Sequence, residues 1–175
     1  MTEPAAIAPE DKDWTYVITG GCPECGFDPD FDVTRTGDRL RATVPVWAQR
    51  LARPDATTRP SPQVWSPAEY ACHVRDVCAL FLERLQLMLS QDDPTFANWD
   101  QDATAVEQRY HAADPAVVAA QYAERAERIA AAFDAVSGPA WQRPGRRSNG
   151  SLFTVETFAR YLLHDIEHHV WDVTR

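Results

Sequence analysis

The sequence predicts an all-α fold, a four-helix bundle with a long crossover between its second and third helices and an irregular N-terminal arm. Four segments carry apolar residues at spacings of three or four, the period of an amphipathic helix. No convincing stretch alternates between apolar and polar residues, as a half-buried strand would. The 175 residues are the usual length of one domain. We expect residues 1–30 to form the arm and residues 31–175 to form the bundle domain.

The first helix is predicted over residues 33–51, where Leu40, Val44 and Trp47 fall on one face. Pro45 lacks a backbone N–H, so we expect the helix to bend or to be offset there. The preceding arm is rich in proline and glycine and shows little helical periodicity, which favours an irregular segment with a tight turn.

The second helix, predicted over residues 67–89, has the clearest start signal in the chain. Ser66 is placed as the N-cap, Pro67 occupies the first helical position, and Glu69 completes a capping box. Trp65 is placed to pack against the first turn as a hydrophobic staple.

The remaining elements are two further helices and a long connection. Residues 90–113 are long enough to allow a crossover and to hold one short helix. The third helix begins at Asp114 and Pro115, a cap followed by a first-position proline, and stops before Gly138. The final helix is predicted from near Thr154 to the chain end.

The charge balance and the hydropathy pattern exclude two classes of partner. Seventeen Lys and Arg stand against 26 Asp and Glu, and the net charge of -9 repels nucleic acid. No window of 18 residues is uninterruptedly apolar, and the N-terminus has no basic patch followed by an apolar run, so neither a membrane span nor a signal peptide is expected. Four cysteines are too few for a disulfide scaffold, and we expect a cytoplasmic protein.

The final helix carries histidines and carboxylates that could bind a metal ion. Residues four apart share a helix face, so His164 pairs with His168 and Asp165 pairs with His169. Relative to the apolar stripe of this helix, Asp165 and His169 lie near the edge, whereas His164 and His168 point away from it. Because a bundle-core site needs inward ligands, the helical phase favours Asp165 with His169, and the other pair remains the alternative.

A third ligand is expected from another helix, and His73 is the strongest candidate. It lies between Tyr70 and Val77 on the apolar face of the second helix, where an unpaired imidazole would cost ~1–3 kcal/mol. Three N and O ligands would leave positions for water or substrate. Asp172 and Asp76 are candidates to orient the imidazoles. The alternative is a core histidine bonded to one carboxylate, with a solvated histidine-rich helix.

The arm contains the tight knuckle Cys22-Pro23-Glu24-Cys25-Gly26, which resembles half of a zinc ribbon. The second half is not evident, because Cys72 and Cys78 on the second helix face different directions. We therefore favour a structural turn over a zinc site, and a zinc site over a redox pair.

Three arginines, Arg143, Arg146 and Arg147, form the one local positive cluster of this acidic sequence. They could hold an anionic group of a ligand, although a solvated loop is the favoured interpretation.

Two motifs resemble those of the DinB-like metal-binding four-helix bundles. The segment from Trp65 to Val77 is similar to the second-helix signature of that family, in which a histidine eight residues after a tryptophan is a ligand, here His73. The segment from His164 to Asp172 resembles the terminal-helix signature, a ligand, three residues, a histidine, and a polar residue three positions later.

The resemblance, which covers about residues 32–175, implies a metal site. It implies His73 together with either Asp165 and His169 or, in the other register, His164 and His168. The acidic register is that of variants related to the N-terminal domains of mycothiol-dependent maleylpyruvate isomerases. The ion implied is divalent, zinc or nickel.

The resemblance also implies a class of reaction, the transfer or isomerisation of a substrate with a low-molecular-weight thiol. One lysine and many alanines are typical of a GC-rich genome, and in GC-rich actinobacteria that thiol would be mycothiol. The implied partners are a small-molecule thiol or electrophile, with a homodimer possible. The alternatives are a non-catalytic metal-binding or small-ligand-binding dimeric bundle, and a bundle whose histidines hold no metal.

Overall fold

A computed structural model describes Ile7 and residues 12–175, so that residues 1–6 and 8–11 of the predicted arm lie outside the described residues. The described chain is mainly helical. Its α-helices are α1 (Val17–Gly20), α2 (Thr36–Leu51), α3 (Pro67–Ser90), α4 (Gln101–Glu107), α5 (Pro115–Asp134) and α6 (Val155–Thr174). Single turns of 3₁₀-helix occur at Trp14–Tyr16, Val33–Arg35 and Tyr110–Ala112, and a longer one at Gly138–Gln142.

The four long helices, α2, α3, α5 and α6, form the predicted four-helix bundle. Helices α2 and α3 each pack against both α5 and α6. Large apolar side chains from all four helices fill the space between them, among them Trp47, Leu85, Tyr122, Phe133, Phe158 and Ile166. The long connection joins α3 and α5, which contact each other directly. That this connection crosses over the bundle stays a prediction. Among the described helices, none is both long and apolar enough to cross a bilayer.

The predicted start of α3 is confirmed. The backbone N–H of Glu69 donates to Ser66 Oγ at 3.3 Å, and the N–H of Ser66 donates to Glu69 Oε2 at 2.8 Å, which is the reciprocal capping box. Trp65 packs edge-on against Tyr70 with ring centroids 5.5 Å apart, as the hydrophobic staple requires. The carboxylate of Glu69 also binds the guanidinium of Arg59. These contacts fix the helix end that carries the first predicted ligand.

A small three-stranded sheet corrects the all-α prediction. Strand β1 (Thr95–Phe96) pairs in parallel with β2 (Pro144–Arg147), which pairs antiparallel with β3 (Leu152–Thr154). Strands of two to four residues are too short to show a two-residue period, so the sequence pattern gave no sign of them. A Cβ on Gly145 would lie 2.6 Å from Met88 Cγ, so only glycine lets β2 approach α3 this closely.

The described part of the arm packs on the outer side of the bundle. Helix α1 contacts α6, and both Val17 and Phe27 are buried. At Gly21 the backbone φ is 69°, and a Cβ there would lie 2.7 Å from the carbonyl oxygen of Phe27. Glycine is therefore required for the turn that directs the knuckle toward α6. The division into an arm and a separate bundle domain stays a prediction.

Candidate metal centre

The three side chains favoured as metal ligands, His73, Asp165 and His169, come together where α3 packs against α6. One donor atom of each lies within 4.8 Å of the others. Nε2 of His73 lies 3.3 Å from Oδ1 of Asp165, and Nε2 of His169 lies 3.8 Å from the same oxygen. Two imidazole nitrogens and one carboxylate oxygen suit a divalent ion and leave some of its coordination positions open.

His73 is held between two indole rings. Its imidazole stacks on Trp99 with ring centroids 5.5 Å apart and planes inclined by 12°, and Trp65 lies 5.7 Å away. The residue is 1% exposed, and its Nδ1 has no hydrogen-bond partner among the described residues. The packing therefore fixes the ring so that Nε2 points at Asp165.

On α6, Asp165 and His169 are one turn apart, and Asp172 lies behind the second of them. Nδ1 of His169 is 3.0 Å from Oδ2 of Asp172. Because an ionised carboxylate only accepts hydrogen bonds, Nδ1 carries a proton, and in the neutral ring Nε2 is the nitrogen with the lone pair. Asp172 therefore has the position expected of a residue that orients a ligating histidine.

Both carboxylates are ionised at neutral pH. Burial opposes the ionisation of Asp165, but the neighbouring imidazoles, His73 foremost with His169 and His164, together lower the pKa of Asp165 to about 2. Burial likewise acts to raise the pKa of Asp172, and the hydrogen bond from His169 brings this pKa below its ordinary value. Two negative charges at one place in the bundle favour a bound cation.

A cavity of about 420 Å³ opens beside these ligands. Its wall combines aromatic rings with carboxylates, and no Lys or Arg is among the described residues that line it. The aromatic members are Trp14, Trp65, Tyr70 and Tyr161, and the acidic members are Glu24, Asp102, Asp165 and Asp172. A small molecule in this cavity would lie directly against Asp165 and His169.

Comparisons with known proteins identify the family and the fold. The model of the DinB superfamily matches residues 33–173. The chain belongs to the DinB superfamily. Among solved structures, YfiT from Bacillus subtilis is described as a probable metal-dependent hydrolase with an unusual four-helix bundle topology. It matches this DinB-superfamily chain with a TM-score of 0.68 and 17% identity, over 82% of this chain and 84% of YfiT. No match was found among curated proteins.

The match to the DinB superfamily begins at residue 33 and so leaves the arm outside it. In the structure this arm brings Cys22 and Cys25 to the alternative histidine pair, His164 and His168, and one donor atom of each lies within 4.8 Å of the others. This group was not predicted from the sequence. Two sequence signals were available: the alternative histidine pair on α6 and the Cys-x-x-Cys knuckle. Each supplies two ligands of a four-ligand zinc site, so the two motifs together would complete one.

His164 and His168 were expected to face away from the apolar stripe of α6, but they are not exposed to solvent. Both are buried, because Trp14 of the arm packs on both imidazoles with centroids 5.2 and 5.0 Å away, and Phe27 packs on His164. Burial is also the main cause that lowers the pKa of His164, to about 4, and that of His168. Both imidazoles are therefore neutral at pH 7, the form that binds metals.

Asp76 does not orient an imidazole in this DinB-superfamily structure, contrary to the sequence-based hypothesis. Its carboxylate accepts from Arg75 at 2.9 Å, from Arg125 at 2.6 Å and from the hydroxyl of Tyr110 at 2.5 Å. Asp76 therefore ties α3 to α5 and to the 3₁₀ turn at Tyr110–Ala112.

The arginine cluster contacts its own surroundings. Arg143 donates to the carbonyl oxygens of Met88 and Gln91, and Arg146 forms an ion pair with Asp93 at 2.7 Å. Arg147 donates to Ser151 and Asn149, and of the described residues lining the cavity none is an arginine. Arg146 and Arg147 lie in strand β2 and not in the predicted solvated loop, and their contacts hold this strand to its neighbours.

Proposed function

We propose that this protein is a divalent-metal-dependent enzyme of the DinB superfamily that transfers or isomerises a substrate by means of a low-molecular-weight thiol. The observation that carries the proposal is the convergence of His73, Asp165 and His169 beside a cavity large enough for a small molecule. Imidazole nitrogens and a carboxylate oxygen suit zinc or nickel, which are the proposed ions.

A divalent ion at this position would lower the pKa of a bound thiol or water and so supply a nucleophile at neutral pH. The protein's own side chains prepare the site. Asp172 holds the proton on Nδ1 of His169, so that Nε2 is available. Trp65 and Trp99 enclose His73 and exclude water from one side of its ring. The ionised carboxylate of Asp165 supplies a negative charge to the site.

The lining of the cavity favours a neutral, hydroxyl-rich thiol of the mycothiol type. Sugar hydroxyls can donate hydrogen bonds to Glu24, Asp102 and Asp172, and the indole faces of Trp14 and Trp65 can pack against an apolar sugar face. A thiol that carries ionised carboxylates would meet the negative charges of Asp165 and Asp172, whereas the charge of Glu24 is paired with Lys12. We also propose a cytoplasmic location, where thiols of this kind stay reduced; the homodimer stays a prediction.

The activity test uses the metal-loaded protein, an electrophile, and mycothiol or glutathione in parallel, with thiol consumption as the measurement. We expect turnover with mycothiol to exceed turnover with glutathione. His73→Ala should abolish it, because one of three ligands is lost. His111→Ala is the matched control, since His111 belongs to neither group of ligating side chains and should keep full activity.

Two results would contradict the proposal. Full activity of His73→Ala would show that an ion at this position takes no part in the reaction. Wild-type protein could also hydrolyse a substrate at the same rate with and without thiol. That result would indicate metal-dependent hydrolysis, the activity ascribed to YfiT, instead of thiol transfer.

A further inference from the structure

The knuckle in the arm presents two thiols on the same side of a tight turn. The N–H of Gly26 donates to the carbonyl of Cys22 at 2.9 Å, and the N–H of Cys22 donates to the carbonyl of Phe27 at 2.9 Å. Gly21 and Gly26 both have positive φ values, 69° and 78°, which close the turn at its two ends. Cys22 and Cys25 are free thiols rather than a disulfide.

The thiols face two imidazoles of α6. His164 and His168 are one helical turn apart, with ring centroids 5.1 Å from each other. Nδ1 of His168 lies 3.7 Å from Sγ of Cys22, across 146 residues of sequence. Nε2 of His164 is buried and has no hydrogen-bond partner among the residues that the structure describes. One ring nitrogen of His164 belongs to this group of four donor atoms, and an ion shared with the two thiols would give the buried imidazole a partner.

The spacing of these four donors suits a tetrahedral ion. Zn–S bonds of about 2.3 Å and Zn–N bonds of about 2.0–2.1 Å put neighbouring ligand atoms roughly 3.6 Å apart in a tetrahedron. The 3.7 Å between Cys22 and His168 matches such an edge, and all four donor atoms lie within 4.8 Å of one another. Movements of about 1 Å by side chains would complete the geometry.

We propose that Cys22, Cys25, His164 and His168 form a second metal site, a closed Cys₂His₂ zinc site distinct from the His73, Asp165 and His169 group. Two thiolates and two imidazoles are a donor set of structural zinc. Four protein ligands leave no position for substrate, so this ion does not take part in the reaction.

The role of this ion is to fasten the arm to α6. Cys22 and Cys25 belong to the arm, and the histidines belong to the helix that also carries Asp165 and His169. Trp14 and Glu24 of the same arm line the cavity beside the first site. The second ion therefore holds one wall of the substrate cavity in place, although it lies outside the reaction itself.

Cobalt substitution tests the second site directly. Protein loaded with Co²⁺ should show a thiolate-to-cobalt charge-transfer band, which the first site, lacking cysteine, cannot produce. The Cys22→Ser, Cys25→Ser double variant should lose the band. His73→Ala should keep it and lose the metal of the first site. Cys78→Ala, which removes a buried cysteine from outside the group, is the matched control and should retain the band.

A wild-type measurement covers the case in which the double variant fails to fold. X-ray absorption at the zinc edge should show sulfur scatterers in wild-type protein, and in His73→Ala the ratio of sulfur to nitrogen should be one to one. Absence of sulfur scatterers and of the charge-transfer band in wild type, or a band that persists in the double variant, would overturn the second site. A Cys22–Cys25 disulfide in freshly purified protein would overturn it as well. None of these results depends on catalytic activity, so the two proposals fail separately.

Discussion

Asp172 is the residue that faces both groups of ligating side chains. Its Oδ2 lies 3.0 Å from Nδ1 of His169 in the first group and 3.8 Å from Nε2 of His168 in the second. The opposite nitrogens of these two rings face Asp165 and Cys22. A carboxylate behind a metal-bound imidazole orients the ring and makes the metal-facing nitrogen more basic. We infer that Asp172 orients His169 through a hydrogen bond and acts on His168 through its charge alone, at 3.8 Å.

Removal of this carboxylate should weaken metal binding at both sites. We expect Asp172→Ala to lower affinity by about 10–100-fold, the usual effect of losing such a partner. Asp172→Asn should recover part of the loss, because its amide oxygen still accepts a hydrogen bond. Competition with a chromophoric chelator measures both affinities. Glu156→Gln, at the other end of α6, is the control and should bind as wild type; an effect confined to one site would contradict the shared role.

At the residue scale, the sequence predicted His73, Asp165 and His169 as one group, and the structure brings them together. It did not predict that Cys22 and Cys25 lie beside His164 and His168. Metal binding by the first group stays a prediction. The i to i+4 spacing and the helical phase pointed to Asp165 and His169, and the apolar setting pointed to His73. The pairing of Cys22 with His168 spans 146 residues, and no local periodicity reports a contact of that range. Helical phase also gives no sign of the arm, which covers the outer face of α6 at His168.

The helix that carries His73 depends on one charged side chain at its start. Glu69 is 2% exposed, binds Arg59 and accepts from the backbone N–H of Ser66. Burial acts to raise the pKa of Glu69, but Arg59 and Ser66 together lower it below its ordinary value of 4.5. Because the pKa of Glu69 is lower in the folded state than in the unfolded state, its charge stabilises the fold at pH values above the unfolded-state pKa. This stabilisation is lost as the pH falls through the folded-state pKa.

Replacing the charge at this position should remove that pH dependence. Glu69→Gln keeps an oxygen for the capping box but loses the ion pair with Arg59, so we expect the free energy of unfolding to fall by about 2 kcal/mol at neutral pH. The difference from wild type should shrink as the pH drops below the ordinary value of 4.5. Urea unfolding at a series of pH values measures this, with the exposed Glu127→Gln as control. A difference that does not change with pH would contradict the role assigned to the charge.

The long helices were predictable because each has a local signal that tertiary contacts reinforce. The capping box of α3 and the Asp114 cap with Pro115 of α5 appear where the sequence places them, and α6 begins directly after Thr154, near its predicted start. The three short strands could not be predicted, because the pairing of β1 with β2 joins residues about 50 positions apart and leaves no pattern within either strand.

The whole molecule combines a DinB bundle with an arm that the family match does not cover. Helix α6 carries ligands of both groups on two of its faces, toward α3 on one side and toward the arm on the other. The cavity lies between these layers, and its wall includes residues from the arm, from the bundle and from α4. We therefore propose one ion for the reaction and one ion for the wall that encloses it.

Elemental analysis of protein purified without a polyhistidine tag tests this account most directly. Wild type should contain two equivalents of divalent metal, one for each group of ligating side chains. His73→Ala should lose one equivalent, the Cys22→Ser, Cys25→Ser variant should lose the other, and His111→Ala should keep both. Wild-type protein that binds no metal after reconstitution, or a metal content that His73→Ala leaves unchanged, would contradict the central claim that His73, Asp165 and His169 form the metal centre.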